Sequence, residues 1–191
     1  PITTTHTHLC AELSDGTFTT RECDLDKPAF ERHLNVKRVW IEPECEAYEP
    51  ALQALREADV VFFGPGDLYT SIIATVTPGG VWGALSDSKA KFIQVVARSR
   101  SLAGEPSPSR LSLIVKDLEQ YLPRPADIVL YNSAPVTAAL AAVYTEKGWQ
   151  SIVHDVDNLS GRKLMDADFE SERGGFDHAK MSVALNGVLR F

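Results

Sequence analysis

Three features of the sequence predict an α/β fold: three Rossmann-like layers, with a mostly parallel sheet and helices on both faces. Short apolar runs at residues 60–63, 92–97 and 127–131 read as buried strands. Leu111, Ile114, Val115, Leu118 and Leu122 recur at i, i+3, i+4, i+7 and i+11, the one-sided apolar stripe of an amphipathic helix. Strands and helices alternate along the chain, and parallel strands need such helical crossovers. With 191 residues and 44% hydrophobic content, the chain is long enough for one well-buried domain, taken as residues 1–191.

Each element has a local reason. Residues 1–26 are threonine-rich and carry Asp15-Gly16, a turn signal between strands, so a hairpin or extended region is expected there. Residues 36–41 are expected as a strand, and the acidic stretch 42–46 connects it onward. Pro50 suits a first helical turn, with Ala51, Leu52, Leu55 and Ala58 on one face. Residues 60–63 are apolar on both faces, as in a central parallel strand. A broken helical region follows, interrupted at Pro78-Gly79-Gly80 and resuming over residues 81–87. Residues 98–109 read as a Ser/Pro/Gly loop. The alanine-rich helix over 136–147 is stopped by Gly148. Residues 150–154 and 163–167 are further strands, and Met181, Leu185, Val188 and Leu189 line a closing helix.

Composition excludes several function classes. A net charge of −7 argues against nucleic acid as a partner, because a phosphate backbone needs a basic face. No apolar run reaches the roughly 18 residues of a membrane span. The three cysteines, Cys10, Cys23 and Cys45, are too few and too scattered for a disulfide framework or a zinc site, so a reducing cytoplasm is expected. The chain begins at Pro1, which suggests that the native start lies upstream.

The most informative stretch is Ala58-Asp59-Val60-Val61-Phe62-Phe63-Gly64-Pro65-Gly66-Asp67-Leu68-Tyr69-Thr70-Ser71-Ile72-Ile73. A buried strand runs into a Gly-Pro-Gly turn and a hydroxyl-rich helix start. Ligands of open α/β sheets bind outside the carboxyl ends of the strands. Gly64 and Gly66 permit close backbone approach, and Thr70 or Ser71 can cap a helix whose free N–H groups favour an anion. The same residues also suit a plain tight turn with a capped helix. Tyr69 stands where the dinucleotide fingerprint has its third glycine, so an ordinary Rossmann NAD site is not expected. The chain has no P-loop, no nucleophile elbow and no His-Glu-x-x-His.

Other polar residues collect on the same predicted sheet edge. Arg98 and Arg100 follow the second strand and can pair with phosphate oxygens, or simply be solvated. Asn132 ends the third strand and either orients a ligand or caps a turn before Pro135. His6-Thr7-His8 resembles a hydrolase metal motif but does not end an apolar strand. His154 and His178 are too scattered to add a metal centre, and Asp177-His178 reads as a polar pair at a helix start.

The stretch from Ala58 to Ile73 resembles the signature of the CofD-like superfamily, which holds 2-phospho-L-lactate transferase and the bacterial gluconeogenesis-factor (YvcK-type) proteins. Those members carry Ala-Asp, an apolar strand, then Gly-Pro-Gly-x-x-Tyr-Thr-Ser-Ile, matched here throughout. Leu9 to Gly16 with Glu22 resembles the family's Leu-x-Ala-Glu-Leu-x-Asp-Gly hairpin, and Ser86 to Ala97 its Ser-x-Ala-Lys strand entry. Gly104-Glu105-Pro106 stands where the family has Gly-Glu-Thr, and Arg98 where it has asparagine. Ile128 to Asn132 resembles its apolar strand ending in Asn, and Asp177-His178 its closing pair in reversed order. The family's Gly-Gly-Gly-Thr-Gly and Asp-Asp-Gly-Gly-Ser segments are not in this sequence, so the chain resembles the C-terminal portion of such a protein or a reduced homologue.

The resemblance implies binding of a phosphorylated or nucleotide-type small molecule, such as a nucleotide sugar, by Gly64, Pro65, Gly66, Asp67, Tyr69, Thr70, Ser71, Arg98, Asn132 and Tyr144. Tyr69 would stack on the ligand or hydrogen-bond to it. The alternative is phospho-group transfer to a deazaflavin. That chemistry calls for Mg²⁺ and a carboxylate to hold it, with Asp67 and Glu105 as the candidate catalytic residues. A third reading is a non-catalytic regulatory or partner-binding domain, as a homo-oligomer or completed by an N-terminal segment.

Overall fold

The computed structural model describes residues 1–31 and 33–190. A four-stranded parallel sheet, ordered β4-β5-β7-β9, forms the centre. Its strands are β4 (Val60–Phe63), β5 (Lys91–Val96), β7 (Ile128–Asn132) and β9 (Lys163–Ala167). On one face, α5 (Leu111–Glu119) buries Leu111, Ile114, Val115 and Leu118 against Phe63, Phe92, Val96 and Val129. On the other, α7 (His178–Leu189) packs Ala184 and Val188 on Ile93, Val95, Ile128 and Leu130. The α/β architecture with a helix layer on each face follows from this alternation of strand residues.

The N-terminal region forms a separate antiparallel sheet, ordered β2-β1-β3, with β1 at His8–Leu13, β2 at Phe18–Thr19 and β3 at Val36–Glu42. Asp15 caps the hairpin turn by accepting from the Thr17 amide at 2.9 Å. The expected extended stretch ends earlier than the sequence suggests, because Glu22–Asp26 forms a short helix, α1, that buries Leu25. Helix α2 (Glu49–Glu57) carries Pro50 in its first turn. The broken helical region comprises a π-helical segment, Leu68–Ile73, continued by α3 (Ala74–Val76), and then α4 (Val81–Asp87) after a turn at Gly80.

Two expectations need correction. The strand β4 lies at the edge of the sheet, not at its centre, and Phe62 on it is 38% exposed. Only Phe63 of its four apolar residues is buried, so an apolar run by itself distinguishes neither a central strand from an edge strand nor two covered faces from one. The segment expected as a loop over 98–109 contains β6 (Ser99–Ser101), which pairs antiparallel with β8 (Trp149–Ser151) in a two-stranded ribbon outside the main sheet. The strand expected at 150–154 is therefore short and belongs to this ribbon.

Helix α6 (Ala138–Lys147) ends on Gly148 at φ 64°, as its glycine stop predicts. Its burial rests on Leu140 and Tyr144, while Ala138, Ala139, Ala141 and Ala142 are exposed. Helix α7 is capped by Asp177, whose carboxylate accepts from the Lys180 amide at 2.9 Å. Leu189, expected on its buried face, is 49% exposed. Among the described residues, no helix is long and apolar enough to cross a membrane.

The start of α5 is held from a distance. Asp155 accepts from the Ser112 amide at 3.0 Å and from the Ser112 hydroxyl at 2.7 Å. Partial burial pushes the Asp155 carboxyl up, but these bonds and one from Asn158 outweigh it and hold it at about 2. A carboxyl depressed in the folded state stabilises above its ordinary value of 3.8 and loses that contribution as pH falls through about 2. Asp155→Asn is expected to cost about 1–3 kcal/mol at neutral pH. The variant should lose this part of the acid sensitivity, as read by urea unfolding across pH 2–6.

Candidate functional site

The Gly-Pro-Gly turn joins β4 to the Leu68–Val76 helical segment at the carboxyl edge of the sheet. Gly64 has φ 92°, and a Cβ there would lie 2.8 Å from the Val95 carbonyl oxygen, so only glycine fits. Gly66 is less constrained: a Cβ would meet Ser71 Cβ at 3.3 Å. The Gly64–Pro65 peptide bond is cis.

Beside this turn lies a cavity of about 430 Å³. Gly66, Asp67 and Ser71 form one wall, and Arg98, Ser99 and Arg100 another. Trp149, Phe176 and Glu170 complete it. The predicted meeting of Gly66 with Arg98 and Arg100 is thus present. It arises because β4 and β5 are parallel neighbours, with Phe63 registered on Gln94. The cavity is within the size range of small-molecule sites and lies at the strand ends where such sites occur.

The anion position at the helix start is filled by the chain itself. Glu105, 4% exposed, accepts from the amides of Leu68 at 2.6 Å, Tyr69 at 3.0 Å and Thr70 at 2.9 Å, and from the Thr70 hydroxyl at 3.1 Å. The expected cap by Thr70 or Ser71 and the expected ligand anion both need correction: Thr70 and Ser71 lie inside the Leu68–Ile73 segment, Asp67 stands at its N-cap position, and the anion on the amides is a side chain of the chain itself. Glu105 uses its oxygens on these donors and is not placed to hold a metal. Among the described residues, no group of three or more His, Cys, Asp or Glu side chains is arranged to hold one. His6 and His8 only meet edge to face, with centroids 4.9 Å apart.

Several predicted ligand residues serve the scaffold. Tyr69 is 3% exposed and donates to Asp117 at 2.6 Å, away from the cavity beside Gly66. Burial, with Asp117 and Glu105 nearby, raises its hydroxyl above the ordinary range. Asn132 is fully buried and donates to Glu170 at 2.8 Å, while its Oδ1 accepts from the Ala134 and Phe169 amides. Tyr144 donates to the same Glu170 at 2.6 Å. Asn132 and Tyr144 therefore position Glu170, which lines the cavity in their place. Glu170 was missed because its only signal is an acidic residue shortly after the fourth strand.

The arginines differ. Arg98 donates from Nε to the Ala134 carbonyl and from Nη1 to the Ile152 carbonyl, both at 2.9 Å, and so clamps two loops. Arg100 donates from Nη2 to Gln150 at 3.0 Å, and its buried Nε has no partner. Desolvation lowers the Arg100 guanidinium from its ordinary value. Asp67 is exposed at the cavity, and partial desolvation together with the Asp26 charge raises its carboxyl.

Burial pushes the Glu105 carboxyl up to about 7, against the hydrogen bonds from Thr70 and Tyr69 that pull it down. A carboxyl raised in the folded state contributes fully below its ordinary value of 4.5 and loses that contribution as pH rises through about 7. Glu105→Gln sets an amide NH2 against backbone donors and is expected to cost about 1–3 kcal/mol. It should also abolish the decline in stability between pH 5 and 7.5, as measured by thermal unfolding against pH.

Comparison with known proteins bears on the family and the fold. Over 164 residues the chain is 32% identical to a Thermotoga maritima protein provisionally named a gluconeogenesis factor, covering 86% of this chain and 51% of that protein. A gluconeogenesis factor of Halalkalibacterium halodurans is 26% identical over 155 residues, covering 79% of this chain and 46% of that protein. The chain thus spans about half the length of these curated relatives. A crystal structure of a UPF0052-family protein from Bacillus halodurans superposes with a TM-score of 0.84 at 22% identity, covering 96% of this chain and 59% of that one. The fold is therefore shared with that protein. Finally, the family model described as 2-phospho-L-lactate transferase CofD matches residues 1–169, and the chain belongs to the CofD family.

Proposed function

We propose that this chain binds a phosphorylated or nucleotide-type small molecule in the cavity between the Gly66–Ser71 wall and the Arg98–Arg100 wall. One observation carries the reading: two arginines line the cavity, and among the described residues neither forms an ion pair with a carboxylate. A guanidinium without a carboxylate partner in a concave, partly desolvated site favours an anionic ligand. Ser71, Ser99 and Ser101 supply hydroxyls around it, and Trp149 supplies an aromatic surface for a base or sugar.

Phospho-group transfer finds less support in this chain. Mg²⁺ is held by one or two carboxylates with substrate phosphates, and of the two candidates Glu105 is committed to backbone amides. Of the two candidates, Asp67 remains exposed at the cavity.

Isothermal titration with UDP-sugars, GDP and NADP(H) tests the reading. At least one is expected to bind, and Gly66→Val, which crowds Ser71 and narrows the cavity, should weaken it about tenfold or more. Absence of binding by all three ligands overturns it.

A further inference from the structure

We infer that Glu105 is a fixed internal acceptor that occupies the helix-start amides, and that the ligand's phosphate is taken by Arg100 on the facing wall instead of by the helix start. This deepens the proposed function and rests on it.

Two observations lead here. The three amides that a phosphate would use, those of Leu68, Tyr69 and Thr70, all donate to one buried carboxylate. A phosphate could take them only by displacing Glu105, a buried carboxylate that would then lose its bonds from three amides and the Thr70 hydroxyl, at a cost that grows with burial. Arg100, by contrast, has a donor to spare. Its Nε is buried without a partner, and its side chain lines both the cavity at Gly66 and a second cavity of about 330 Å³ beside Tyr69 and Asp117. An unpaired buried N–H is costly, and a modest side-chain rotation that brings it onto an anion removes that cost.

Glu105 and Arg100 are also mechanically joined. Ser101 Oγ accepts from the Ala103 and Gly104 amides, at 3.2 and 3.0 Å, closing a tight turn between them. The Leu102 amide donates to the Gly148 carbonyl at 2.8 Å and ties this turn to β8. Anchoring Glu105 on the helix start therefore fixes the distance between the Arg100 wall and the Gly66 wall. Glu105 acts as a positioning residue, and Arg100 acts as the anion contact.

Amide and guanidinium NMR with inorganic phosphate at pH 8 tests this, since Glu105 is then ionised. In the wild type, phosphate is expected to shift the Arg100 Nε signal and leave the Leu68, Tyr69 and Thr70 amides unmoved. In Glu105→Ala, the vacated amides should now respond to phosphate, and phosphate should raise the variant's melting temperature more than that of the wild type. A merely structural Glu105 would give no such rescue by an anion. Should Glu105→Ala fail to fold, Arg100→Met supplies the second arm and is expected to abolish the wild-type phosphate response. Movement of the three amides in the wild type overturns the inference, because the ligand then displaces Glu105. So does an Arg100 signal that phosphate leaves unchanged. Nucleotide binding that persists in Arg100→Met would sink this inference while leaving the proposed function standing.

Discussion

The bond from Glu105 to the Leu68–Thr70 amides is the constraint on which the site depends. It joins two segments that the sheet alone does not connect: the turn after β4 and the loop after β6. The helix start presents free N–H groups and a partial positive charge, and burial there requires an acceptor. A carboxylate satisfies three amides and a hydroxyl at once. The result is a cavity with walls held at a fixed separation, which preorganises it before any ligand arrives. Gly64 completes this geometry, because its positive φ and the nearby Val95 carbonyl leave no room for a side chain.

Much of the frame was legible in the sequence. The period of Leu111, Ile114, Val115 and Leu118 gave the helix, and each of these residues is buried. The run Lys163–Ala167 is the strand as read, and Gly148 stops α6. The Gly-Pro-Gly turn and the arginines were placed correctly on one edge, because parallel strands put all their following loops on the same side. The short β6–β8 ribbon was not legible. Strands of three residues exist through their pairing, and neither composition nor period marks them.

The chemistry of the site was less legible than its position. Glu105 lies 35 to 37 residues from its donors, and those donors are backbone amides, which leave no trace in side-chain identity. Tyr69 has the composition of a ligand contact, yet its hydroxyl meets Asp117, far along the chain. Asn132 was correctly placed at a strand end, but its partner Glu170 follows an element whose docking only the tertiary fold decides. In each case the sequence suggests a ligand or metal contact and the structure supplies an intramolecular partner, since long-range pairing depends on packing and not on local pattern.

Two buried carboxylates flank the cavity, and neither is neutralised by a cation. Glu105 is met by amides and a hydroxyl, and Glu170 by the Asn132 amide, the Tyr144 hydroxyl and the Gly175 amide. An ion pair would have been the alternative way to bury each of them. Satisfying them with neutral donors leaves Arg98 to clamp carbonyls and Arg100 with a donor unspent. The same choice thus stabilises the walls and leaves both guanidiniums at the cavity without a carboxylate partner among the described residues. Had either glutamate recruited Arg100, the fold would lose little, but the cavity would lose the group best suited to an anionic ligand.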